Sequence, residues 1–173
     1  MKTGLRRIFM NRFVYALILF ILSMTSAYGQ AFLVRPVGVV VENGRHYFNV
    51  QVWNCTGRDV EVPLADLPWG QSTLGLVLYP AGRLAGEPLK ESIPAVDFPS
   101  TKVRIQAKDH VEGRVDLDSR FLGISRYEGR GNLLIFWEYD LSLIAGGNSH
   151  VVGGMVPFDA SGKAKSAAGI ACK

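Results

Sequence analysis

Beyond residue 31 the chain is organised by a period of two. Apolar and polar positions alternate in short stretches bounded by turn residues, the pattern of strands with one face inward. Phe32–Val41 predicts a first strand, and Glu42-Asn43-Gly44-Arg45 predicts a tight hairpin because Asn-Gly accepts positive φ at both central positions. His46–Trp53 follows, with Phe48, Val50 and Val52 on one face and Tyr47, Asn49 and Gln51 on the other. Further alternation marks Val60–Leu64, where Pro63 predicts an edge strand, and then Leu74–Tyr79, Lys102–Lys108 and Arg114–Asp118.

The most apolar segment is Asn132–Leu143, NLLIFWEYDLSL. Leu133, Ile135, Trp137, Tyr139 and Leu141 share one face; Leu134, Phe136, Glu138 and Asp140 share the other. Its first half is apolar on both faces, which predicts a buried centre. Val151–Phe158 predicts a last strand, and Asp118–Ile124 a short helical turn. No long segment has helical periodicity, and the stretch Ala81–Ser100 reads as a long irregular connection with three of the eight prolines.

Seven or eight short strands without crossover helices predict an all-β fold: an antiparallel immunoglobulin-like β-sandwich, with a small β-barrel as the alternative. The expected organisation is a signal peptide over 1–29, one domain over 30–160 and a small, polar tail over 161–173.

The leader accounts for the net charge. Lys2, Arg6, Arg7 and Arg12 lie in 1–29 without an acid, and the other 144 residues carry 15 basic and 15 acidic side chains. The ten-residue apolar run Phe13–Leu22 is shorter than the roughly 20 residues of a spanning helix. Ala27 and Gly29 stand at −3 and −1 of a cut before Gln30, the order of a secretory signal. An uncleaved anchor is the alternative, but the expectation is an exported chain, periplasmic or extracellular, with no stable membrane span after cleavage. A neutral chain after cleavage disfavours nucleic acid, whose affinity depends on neutralising phosphates.

Cys55 and Cys172 both lie in the exported portion, and an even count in an oxidising compartment predicts one disulfide. Two free thiols are the alternative. Neither has a CxxC partner or metal-ligand spacing. His46, His110 and His150 form no local ligand pair, so no metal and no cofactor are expected. His46, beside the hairpin, and His110, in a charged turn, are expected to be solvated.

The pairs Asp116/Asp118 and Glu138/Asp140 fall two apart, hence on one strand face, where they would suit acid/base work or calcium only if other ligands converged. Alternation alone predicts such pairs on a solvated outer face. No nucleophile elbow, phosphate loop or dinucleotide fingerprint is present, so an enzyme has no positive support. Four acids and four arginines interleave between Glu112 and Arg130, either a recognition face or ordinary surface ion pairing. Asn54-Cys55-Thr56 matches a glycosylation sequon. Trp69, after Leu67-Pro68 and before Gly70, sits at a turn. It is the candidate binding residue, the competing reading being a Trp folded back over the core.

Several segments together resemble a group of exported bacterial immunoglobulin-like β-sandwich proteins of unassigned function. They are Trp53-Asn54, Leu67-Pro68-Trp69-Gly70, Gly113-Arg114-Val115-Asp116-Leu117 with Arg120-Phe121, Phe136-Trp137-Glu138-Tyr139 and Gly153-Gly154. The resemblance covers most of residues 46–158 and implies a fold and a compartment, with no catalytic residues to carry over. The expected function is therefore non-enzymatic binding of a protein or cell-envelope component. The alternatives are an inhibitor or immunity-type protein that blocks a secreted hydrolase, and a hydrolase or metal-dependent enzyme using Glu138, Asp140, Asp116 or a histidine.

Overall fold

The period of two becomes eight strands in the computed structural model, which describes residues 31–70, 73–82, 84, 86–92, 100–127, 132–159 and 172. The strands are β1 (Phe32–Glu42), β2 (Arg45–Asn54), β3 (Val60–Pro63), β4 (Leu74–Pro80), β5 (Lys102–Ile105), β6 (His110–Asp116), β7 (Asn132–Asp140) and β8 (Val151–Asp159). They form three antiparallel sheets in the orders β1-β2-β6, β3-β5 and β4-β7-β8. The leader 1–29 and the tail, apart from Cys172, lie outside the described residues. Among the described residues no helix is long and apolar enough to cross a membrane.

The β1–β2 hairpin turns where Asn43 and Gly44 take φ of 52° and 74°, the mirror-image turn that matches strand twist. β1 also carries a bulge: Pro36 pairs with Val50 and Gly38 with Asn49, leaving Val37 as the additional residue. Pro36 and Pro63 are tolerated because β1 and β3 are both edge strands.

One face of each sheet contributes to a common core. Phe48, Val50 and Val52 of β2 meet Leu74, Leu76 and Leu78 of β4, Leu133, Ile135 and Tyr139 of β7, Phe158 of β8, and Val62 and Ile105 of the two-stranded sheet. Each side chain so buried contributes roughly 1.5–3 kcal/mol. The Tyr139 hydroxyl donates to the Asp66 carbonyl. Burial, reinforced by nearby Asp66 and Asp140, raises its pKa.

Cys55 and Cys172 are bridged, with a Cα–Cα distance of 5.2 Å. The bond closes a separation of 117 residues and on chain-entropy grounds stabilises by at most about 5 kcal/mol. It ties the end of the chain to the residue after β2.

Three expectations need correction. The strand expected over Lys102–Lys108 stops at Ile105, because Lys108 adopts φ of 62° in a turn whose amide donates back to the Asn54 carbonyl at 2.9 Å. The strand expected over Arg114–Asp118 stops at Asp116, whose side chain accepts from the Asp118 and Ser119 amides and starts a helical turn over Leu117–Arg120. Asn132–Leu143 ends as a strand at Asp140, and Ser142–Ala145 forms a second helical turn.

Candidate functional site

Each three-stranded sheet turns one face into the core and one outward. On β1-β2-β6 the outward positions of β2 are Tyr47, Asn49, Gln51 and Trp53, opposite Asp116, Arg114, Glu112 and His110 of β6. These side chains bind one another. Trp53 stacks on His110 with ring centroids 4.3 Å apart and an interplanar angle of 17°. The Trp53 indole N–H donates to Gln51 at 3.3 Å, and the Gln51 amide donates to Glu112 at 3.0 Å. Arg114 lies 4.3 Å from the Tyr47 ring centre and pairs with Glu42 at 2.8 Å; Arg45 pairs with Asp116 at 2.5 Å. Two of the interleaved charges of Glu112–Arg130, Arg114 and Asp116, are thus ion-paired within the protein.

The outward face of β4-β7-β8 is different. Ladder register places Val77, Phe136 and Met155 in one row and Tyr79, Leu134 and Pro157 in the next. Val77, Phe136 and Met155 are 41%, 38% and 52% exposed, and Val151 at the start of β8 is 59% exposed. Tyr79 meets Phe136 edge-on at 5.9 Å. The segment expected to have a buried centre is thus buried on one face only. An apolar run identifies a surface that avoids water but not what covers it.

Trp69 is half-buried and packs against the core. The turn that carries it is closed by the Gly70 amide donating to the Leu67 carbonyl at 2.7 Å. Its indole lies on Gly113 of β6, where an added Cβ would fall 2.0 Å from Trp69 Cδ2. Of the connection Ala81–Ser100, the described Glu91 and Ser92 are fastened to the buried Arg120. Arg120 Nε donates to Glu91 at 2.8 Å, and the Ser92 amide donates to the Arg120 carbonyl at 2.6 Å.

His46 is not solvated. It is 0% exposed, its amide donates to Asp118 at 2.5 Å and its Nδ1 lies 3.1 Å from the same carboxylate. His110 is half-buried at the other end of the ladder, stacked on Trp53. Positions 46 and 53 are separated by about 23 Å of strand, so these two histidines do not converge. Among the described residues no three of His, Cys, Asp and Glu form a group able to hold a metal ion.

Asp116 and Asp118 do not form a two-carboxylate strand face, since one caps the helical turn and the other, within it, holds His46. Asp140 organises the loop before β8, accepting from the Ser149 hydroxyl at 2.6 Å, the Ser142 amide at 2.9 Å and the His150 amide at 3.0 Å. These donors hold its carboxyl well below the usual carboxylate range. Glu138 is exposed on the outward face, in the row of Gly75 and Gly153. The four carboxylates therefore have separate settings.

The sequon is closed to glycosylation in the folded protein. Asn54 is fully buried; its amide donates to the carbonyls of Arg58, Ile105 and Gln106 at 2.8, 3.1 and 3.1 Å. Its oxygen accepts from the Thr56 amide and hydroxyl at 3.0 and 2.6 Å.

No family model, curated protein or solved structure matches the chain.

Proposed function

We propose that the chain is an exported, immunoglobulin-like β-sandwich that acts by binding a protein or cell-envelope component, without catalysis. The observation that carries this reading is the row Val77–Phe136–Met155, exposed on the outward face of β4-β7-β8 and flanked by Tyr79 and Leu134. Contiguous apolar surface of this kind marks a contact site, and an aromatic at its centre is the usual energetic anchor. Trp69, the anchor suggested by the sequence, offers such a partner only its outer part, because its indole also packs on Gly113. The signal-like leader and the Cys55–Cys172 bridge support export.

Affinity capture from an envelope extract tests the reading. The wild-type exported protein should retain a partner that Phe136→Ser and Val77→Ser lose by at least about ten-fold, as expected for central contacts. Trp69→Ala should weaken capture less. A partner held equally by all of these variants would remove the apolar row as the binding face.

A further inference from the structure

Over Val151–Val156, β8 is an edge strand without the features by which edge strands avoid pairing. Among the described residues it is laddered only to β7. Val151–Phe158, VVGGMVPF, contains no charged side chain, and Pro157 stands near its far end. Natural edge strands are protected by lysines, inward charges, prolines or bulges, and a long uncharged edge invites another strand. β8 comes close to β1 without forming a ladder with it, and buried Phe158 lies 6.2 Å from the His46 ring. Its open part is the other end: Val151, Gly153, Gly154 and Met155 are exposed.

We propose that this open part pairs antiparallel with β8 of a second copy of the chain, across a two-fold axis at Gly153. Symmetry and side-chain parity select that axis. Residues opposite one another in an antiparallel ladder point to the same face. Val151, Gly153, Met155 and Pro157 share the outward face because they register with Asp140, Glu138, Phe136 and Leu134. An axis at Gly153 sets Val151 against the partner's Met155, so two exposed large apolar side chains of β8 cover each other. Val152 then faces the partner's Gly154. An axis at Gly154 instead sets Val151 against the partner's Pro157, which has no N–H to donate.

The centre is kept bare by the chain's own sheet, since a Cβ on Gly153 would fall 2.7 Å from the Trp137 carbonyl. Charge is compatible with a second copy. The nearest carboxylate in that row is Glu138, one strand in, and the two copies of it would stand about 14 Å apart, three strand spacings. That exceeds the screening length of about 8 Å at physiological salt. A bulky–glycine–bulky strand with no charge is complementary to its own inverse, as an isologous contact requires. The pairing would join two β4-β7-β8 sheets into one of six strands.

Five residues on each side bury less than the roughly 800 Å² per partner of a standard interface. A weak dimer is therefore expected, with Kd on the order of 10–100 μM. The inference does not depend on the binding reading above and shares only Met155 with it.

Sedimentation of the exported protein from about 1 to 500 μM tests it, a range that brackets the expected Kd. The wild type should pass from monomer to dimer. V151K/M155K places like charges opposite one another and should weaken dimerisation at least ten-fold, whereas V151K/M155E places opposite charges there and should restore it, most at low salt. Both variants alter the same two exposed positions, so a folding defect would affect them alike. Phe136→Ser should leave the dimer intact while reducing partner capture, which separates the two readings. A wild type that stays monomeric throughout, or two double variants that dimerise alike, overturns the proposal.

Discussion

The outward faces of the two three-stranded sheets are built from the same kind of alternating strand and have opposite fates. On β1-β2-β6 the outward side chains have partners across the ladder: Trp53 with His110, Gln51 with Glu112, Arg45 with Asp116. On β4-β7-β8 they are Val77, Phe136 and Met155, which gain little from one another and remain substantially in water. A face whose polar groups satisfy each other has little left to offer a ligand. An exposed apolar row gains free energy only when something covers it, which makes it the better place to look for function.

If that contrast is right, changes in the first sheet should cost stability without touching binding, and changes in the apolar row should do the reverse. The largest effect is expected at the end of β2. Asn54→Ala leaves the carbonyls of Ile105 and Gln106 without their donor and should cost about 3–5 kcal/mol, read by urea denaturation. Next comes Gly113→Ala, whose methyl group would collide with the Trp69 indole; a loss of about 2–3 kcal/mol is expected. A normal melting curve for that variant would mean that Trp69 moves aside easily and is freer to serve as an anchor.

Smaller effects separate the outward faces themselves. Trp53→Ala removes a stacked ring and should cost about 1–2 kcal/mol while leaving partner capture unchanged. Phe136→Ser should cost less than about 1 kcal/mol and yet reduce capture. Equal stability losses for the two would break the comparison.

The smallest effect is local and depends on acid. The Asp140 carboxyl is held below its ordinary value of 3.8 by Ser149, Ser142 and His150. Its contribution to the loop before β8 is thus present above that value and is lost as pH falls through it toward the lower folded-state value. Protection of the Ser142 and His150 amides, measured relative to the intrinsic exchange rate at each pH, should fall on acidification from about pH 6 to about pH 2. Asp140→Asn should show low protection of both amides throughout.

Much of the fold could be read from residue order. The Asn43-Gly44 hairpin, the inward row Phe48, Val50, Val52 and the last strand up to Phe158 follow from periodicity and turn chemistry, which are local. Even the burial of His46 and Asn54 was legible, because both have the parity of that inward row. The polar type of His46 points the other way, but its position in the alternation decides its burial. The places where β5 and β6 stop were harder to see, since Lys108 and Asp116 end those strands through contacts with Asn54 and the following amides.

What the amino-acid sequence determined by itself was the strand content, the parity of each face and a single pair of cysteines, which the structure bridges. The tertiary structure alone decided that Asp118 reaches the buried His46. It also decided which of two apolar faces of β7 is covered. Leu133 and Phe136 look equally apolar in the chain, but burial belongs to the pairing of whole sheets, and only one side of β7 faces the shared core.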